Sequence, residues 1–169
     1  MRLLFFCAIA TALAAAGIAE ARLYRIGIPD AIKPGDMFNA TIEQLAGIPL
    51  QYTMLWGIER YDEEWSVAPR PGSLGPVLLA NGIVDLQKAV GDGSVSGNTS
   101  IAGLVVPAGY KLGPAAIQAV IFEIAGPLNS PIIETWWWSV DITNASTSES
   151  LVWSNYADDN SRICQIPFQ

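Results

Sequence analysis

Residues Ile101–Ile142 read IAGLVVPAGYKLGPAAIQAVIFEIAGPLNSPIIETWWWSVDI, and the fold turns on what this stretch can form. Three apolar runs rich in Ile, Val, Phe and Trp are separated by Pro-Ala-Gly-Tyr-Lys-Leu-Gly-Pro and by Gly-Pro-Leu-Asn-Ser-Pro. β-Branched and aromatic side chains suit a pleated surface, and short runs fenced by Gly and Pro read as strands. Pro107, Pro114, Pro127 and Pro131 would each break a helix drawn through the region, since proline lacks the N–H and clashes with the turn before it. The expectation is three consecutive antiparallel strands at the centre of a β-sandwich. In the last of them Trp136, Trp138, Val140 and Ile142 share one face, and Trp137, Ser139 and Asp141 share the other. Trp136 and Trp138 are therefore core residues. Trp137 points outward, where an indole of about 200 Å² invites cover from the chain or from a partner.

Upstream, Leu23–Ile28 reads as a first strand ended by Pro29. Lys33-Pro34-Gly35-Asp36 is a turn in which Pro fixes φ and Gly takes the positive φ that follows. A second strand then sets Phe38, Ala40 and Ile42 on one face and Met37, Asn39 and Thr41 on the other. A third, Gln51–Ile58, aligns Tyr52, Met54, Trp56 and Ile58, with Trp56 the expected core plug of an immunoglobulin-like sandwich. Glu59–Trp65 bunches its carboxylates in one turn without a calcium-loop pattern, so it reads as a solvated loop. Between residues 66 and 97 the pattern is weakest: a Pro/Gly-dense loop, an edge strand at Val77-Leu78-Leu79, then a strand or one helical turn at Asp85–Val90. Gly91–Gly97 has the wrong glycine spacing for a dinucleotide fingerprint.

The ends of the chain carry address and modification signals. Arg2, the apolar run Leu3–Ala16 and Ala19-Glu20-Ala21 make a cleaved signal peptide over residues 1–21, with an apolar run shorter than the ~20 residues of a membrane span. The expected product is secreted. Asn39, Asn98 and Asn144 each head an Asn-x-Ser/Thr sequon. Residues 22–142 form the sandwich domain, and 143–169 read as a polar, flexible tail in which Trp153 and Tyr156 fold back onto Trp137. The fold class is thus all-β: an antiparallel immunoglobulin-like sandwich of about seven strands between a leader and a tail.

Composition narrows the chemistry. A net charge of −7 and a pI near 4.4 disfavour nucleic acid and anionic lipid as partners. Neither a membrane span nor a lipid-anchor tail is expected. The sequence has no histidine, which removes Ser-His-Asp and Cys-His catalysis and histidine-built zinc or copper sites. No Gly-x-Ser-x-Gly elbow or Walker loop occurs. The expectation is a monomeric binding protein without cofactor or metal rather than an enzyme. Cys7 lies in the leader, so Cys164 is alone in the mature chain and no intramolecular disulfide can form. Core burial alone must hold the domain.

A family resemblance rests on residues spread over nearly the whole domain. They are Arg22-Leu23-Tyr24-Arg25-Ile26-Gly27-Ile28-Pro29 behind the leader, and Ile32-Lys33-Pro34-Gly35-Asp36 running into Phe38-Asn39-Ala40-Thr41-Ile42. Trp56-Gly57, Pro71-Gly72-Ser73-Leu74-Gly75, Val106-Pro107-Ala108-Gly109 and Gln118-Ala119-Val120-Ile121-Phe122, ending at Gly126, follow in order. In these the chain resembles the fungal necrosis-inducing secreted protein family, while the triple Trp and the tail with Cys164 depart from it. The resemblance implies a fungal effector that binds receptor-associated kinases of a plant host, suppresses pattern-triggered immunity and in some cases induces cell death. A disulfide-free domain also suits translocation into a reducing host cytoplasm. The expected binding face is bordered by Pro71, Gly72, Ser73, Leu74 and Gly75 and by Pro107, Ala108, Gly109 and Tyr110, with Trp137 as the outward aromatic. The competing expectation is a carbohydrate-binding or wall-associated module in which Trp65 or Trp137 stacks on sugar rings.

Overall fold

The computed structural model describes residues 23–44, 50–60, 74–90, 97–125, 130–155 and 161–165. The leader, the acidic turn beyond Arg60 with Trp65, the Pro71–Ser73 half of one proposed loop, and the Gly91–Ser96 loop lie outside them. Ten strands follow in order: β1 (Leu23–Pro29), β2 (Ala31–Ile32), β3 (Met37–Gln44), β4 (Leu50–Arg60), β5 (Val77–Asp85), β6 (Gly97–Val105), β7 (Gly113–Ala125), β8 (Ser130–Ile142), β9 (Leu151–Asn155) and β10 (Ser161–Gln165). One helical turn, α1 (Leu86–Val90), intervenes between β5 and β6. Its N-cap is Asp85, whose Oδ1 accepts from the Lys88 N–H at 3.0 Å. The chain is all-β.

The strands form one sheet in the order β10-β8-β7-β4-β5-β6-β3-β1-β9, curled into a half-barrel so that its two halves share a core. β5 makes the curl. Its ends pair with β4 through Gly57↔Leu78 and Leu55↔Ile83, and the residues between them leave that ladder. There Ala80 pairs with Val105 of β6, and Asn81, at φ 58°, donates from Nδ2 to the Gly103 carbonyl at 2.8 Å. The opposite end of the path is closed by the chain itself. After Pro29, β2 leaves β1 and pairs parallel with β8, at Ala31↔Asp141 and Ile32↔Ile142.

Alternation on the strands fills the space between the halves. Ile26 and Ile28 of β1, with Phe38, Ala40 and Ile42 of β3, face Met54, Trp56 and Ile58 of β4, Ile117 and Ile121 of β7, and Trp136 and Trp138 of β8. Trp56 and Trp138 stack with ring centroids 5.2 Å apart, and the Trp138 indole N–H donates to the Ile26 carbonyl at 2.9 Å. Both tryptophans are as buried as the sequence pattern demands. The turn at Lys33–Asp36 also forms as read, with the Asp36 N–H donating to the Lys33 carbonyl at 3.1 Å and Gly35 at φ 88°.

Two readings change. β6, β7 and β8 are not three neighbours: β7 and β8 are paired, whereas β6 lies in the other half, between β5 and β3. The connection from Val106 to Leu112 is long enough to carry the chain over the end of the sheet instead of turning it back as a hairpin. The segment after Ile142 enters the sheet where a flexible tail was expected. β9 pairs with β1 from Arg25↔Asn155 to Pro29↔Leu151, and β10 pairs with β8. The link before β9 is fixed as well, since the Thr143 and Ser148 N–H groups donate to the carbonyls of Ile32 and Ala31. Thr147 Oγ1 accepts from the Lys33 N–H at 3.2 Å and lies 3.4 Å from Asp36 Oδ2. A sheet edge supplies unpaired backbone groups, so a segment as short as Leu151–Asn155 can join it with only the apolar side chains of Val152 and Trp153 packed on the sheet.

Candidate functional site

Outward positions on β5, β4, β7 and β8 form three rows across the sheet. Ile133, Phe122 and Thr53 make the first row, ending at Asp85 on β5. Thr135, Val120, Leu55 and Ile83 make the second, and Trp137, Gln118, Gly57 and Leu78 the third. Asp85, at one corner, is the one charged residue in these rows. Phe122 is 42% exposed, Leu78 50% and Ile83 70%, while Leu55, Val120 and Ile133 are half-buried. This is a contiguous apolar strip on a protein that is otherwise strongly acidic, the kind of surface that marks a contact site.

Part of the expected loop borders this strip. Leu74 lies directly over Gly57, with its carbonyl where a side chain at 57 would have to sit. Gly75 follows at φ 74°, packed on Ile58 and on the Gln118 side chain, where a Cβ would meet Oε1 at 2.9 Å. Gln118 is in register with Trp137. Leu74, Gly75 and Trp137, far apart in sequence, therefore converge on Gln118. Pro71, Gly72 and Ser73 belong to the same loop but lie outside the described residues.

Pro107, Ala108, Gly109 and Tyr110 are placed elsewhere. The Tyr110 N–H donates to the Pro107 carbonyl at 2.9 Å, closing a turn that rests on the Lys33–Asp36 corner through Gly35 N–H to the Val106 carbonyl. Ala108 and Gly109 are exposed there, and the Tyr110 ring packs on the edge of the core. Burial, and then the nearby Glu59 carboxylate, hold the Tyr110 hydroxyl above its ordinary pKa, with Arg60 acting the other way. This loop is at the end of the sheet, separate from the strip.

A second cluster was not foreseen. Trp153 of β9 lies flat against Gly27 of β1, its register partner, where a Cβ would meet the indole at 2.9 Å. The Arg25 guanidinium carbon is 4.4 Å from the Trp153 ring centroid, and the same guanidinium donates to both carboxylate oxygens of Glu43 at 2.6 and 2.7 Å. That hydrogen bonding holds Glu43 below and Arg25 above its ordinary pKa. Trp153 was expected against Trp137; its seat is the outer face of β1. Two further residues escaped the pattern reading: Glu123 and Glu134, opposite isoleucines on the inner face of β7 and β8, are buried. Glu134 Oε2 accepts from the Trp136 indole at 3.3 Å.

The strip itself has a sequence signal, since Ala115–Ile124 carries apolar residues at both parities, interrupted only by Gln118 and Glu123. Such a run reads as a strand buried on both faces. Here one of those faces is the outside. Asn39, Asn98 and Asn144 are all exposed, the first two on outward positions of β3 and β6. No group of three or more potential metal ligands occurs among the described residues, and none of their helices is long and apolar enough to cross a membrane. The model of the Nis1 family matches residues 19–141, a span that includes β1 to β7 and all but the last residue of β8. No curated protein matches the chain.

Proposed function

Because the chain belongs to the Nis1 family, we propose that it is a secreted effector-like protein that binds a host protein, a receptor-associated kinase of pattern-triggered immunity. The binding face in this reading is the strip of Leu55, Leu78, Ile83, Val120, Phe122 and Ile133, rimmed by Leu74, Gly75 and Trp137. The observation that carries it is the exposure of Phe122, Leu78 and Ile83 on adjoining outward rows, with only the uncharged Thr53, Leu55 and Gly57 of β4 between Phe122 and the two β5 residues. The scaffold behind the strip is best taken as an immunoglobulin-like sandwich. The sequence of neighbours β8-β7-β4-β5 and β6-β3-β1, with the first strand switching to β8 through β2, supports that assignment. Residues 22–169 carry one thiol, Cys164, so the fold tolerates a reducing compartment, as entry into host cells would require.

Burying one such side chain in a contact contributes about 1.5–3 kcal/mol, or roughly tenfold or more in affinity. Ile83→Asp and Phe122→Asp should each lower co-purification of the kinase from plant tissue by at least about tenfold. Met37→Asp is the control, because Met37 is 74% exposed on β3, in the other half of the sheet. Equal binding by all three variants refutes the assignment of the face. Loss of the elicitor-triggered oxidative burst on expression of the mature chain in leaves tests the immune role. Retention on chitin, glucan or cellulose instead would favour the carbohydrate-binding alternative.

A further inference from the structure

We propose that the outer face of the β3–β6 ladder is the glycosylated face of this protein, with N-linked oligosaccharides on Asn39 and Asn98. The inference rests on the secretory reading above and adds to it a location and an orientation. The two sequons, Asn39-Ala40-Thr41 and Asn98-Thr99-Ser100, run antiparallel on neighbouring strands. Thr41 is in register with Ser100, and Glu43 with Asn98. The one hydroxyl that each sequon requires thus meets its counterpart at the middle of the ladder, and the two asparagines stand on either side of that pair. Asn98 sits opposite a position four residues beyond Asn39, about 14 Å along the strand at ~3.4 Å per residue. Two glycans fit there without sharing a footprint.

The chemistry asks for a free carboxamide nitrogen. Transfer forms a bond between the asparagine Nδ2 and the first sugar's C1, and breaks the C1–O bond to a lipid-linked pyrophosphate, which leaves. The amide proton passes to a base of the transferase. In the folded chain Asn39 uses its other atom: Oδ1 accepts from the Gly103 N–H at 3.2 Å. A sugar on Nδ2 leaves that acceptor in place, so glycosylation and the fold are compatible at this position. Asn98 is exposed beside it. Met37 supplies an independent observation. It is 74% exposed on the same outward face, two residues before Asn39, an uncovered apolar side chain that a first sugar on Asn39 would shelter.

No sequon lies on the outward rows of β4, β5, β7 and β8. The third sequon, at Asn144, follows β8 and lies beyond the matched family segment. The outward face of β3 and β6 thus carries two sequons, and the rows that bear the apolar strip carry none of their own. Carbohydrate on β3 and β6 directs protein partners to the opposite face.

The test uses the full chain secreted from a eukaryotic host in two arms, one with residues 1–21 as leader and one with a heterologous leader in their place. Protein from the medium is treated with peptide N-glycosidase in ¹⁸O-water and mapped by mass. Labelled aspartate at both 39 and 98 is expected, with loss of one mobility step in Thr41→Val and of another in Ser100→Ala. These variants remove the required hydroxyl and keep the Asn39–Gly103 bond, so a lost step is not a lost fold. Peroxide should oxidise Met37 several-fold faster in Thr41→Val than in the glycosylated protein. Unlabelled Asn39 or Asn98 in the heterologous-leader arm overturns the proposal. Protein absent from the medium in the native-leader arm alone overturns the secretory premise and leaves the second arm to decide the face.

Discussion

Gly27 has no room for a side chain, because the Trp153 indole lies 2.9 Å from where its Cβ would be. Gly27→Val should push Trp153 off β1 and destabilise the fold by about 1–3 kcal/mol, the usual cost of overpacking. The tryptophan emission should shift to the red, and chemical denaturation should report the loss. Beside it, the Arg25–Glu43 pair gives that corner a pH dependence. Hydrogen bonding from Arg25 holds the Glu43 carboxyl below its ordinary 4.5. A carboxyl with a lowered folded pKa adds stability that is complete above the unfolded value and is lost as pH falls through the folded one. Wild type should therefore keep Trp153 seated at pH 5 and release it only in stronger acid. In Glu43→Gln the acid-induced part of that fluorescence change should shrink, and an unchanged acid transition would exclude Glu43 as its source.

Among the elements, β5 holds the two halves of the sheet together through very few groups. Asn81 combines a left-handed backbone with a hydrogen bond to Gly103. Asn81→Ala loses both and should cost about 2 kcal/mol; Asn81→Gly keeps the backbone freedom, loses only the bond, and should cost about 1 kcal/mol. Equal costs in thermal melts would assign the whole effect to the bond. This crossing could not be read from sequence, because Leu79-Ala80-Asn81-Gly82 looks like a turn until the two flanking strands are known. β3 and β4 were legible, since each pairs one apolar face with one mixed face, and so were the Lys33–Asp36 turn and the inward tryptophans. β9 and β10 were not, because an edge strand borrows its backbone partners from the neighbour and needs little hydrophobic pattern. The candidate face was half legible. Leu74, Gly75 and Trp137 carried signals, whereas Leu55, Val120 and Phe122 were hidden among residues that read as core.

For the molecule as a whole, stability comes from one shared core without covalent cross-links. A melting temperature measured on residues 22–169 should be the same with and without a thiol reductant, and a drop on reduction would reveal an intermolecular bond through Cys164. The placement of the chain's ends carries a second consequence. Trp138 reaches back 112 positions to bond Ile26, and β2 lies beside the last residues of β8. During synthesis the amino-terminal strand must therefore wait, unmatched on that flank, until β8 has emerged from the ribosome. A premature stop just before Asp141 would then wound the molecule at its opposite end, leaving Ala31 and Ile32 without the two residues they were made to lie against.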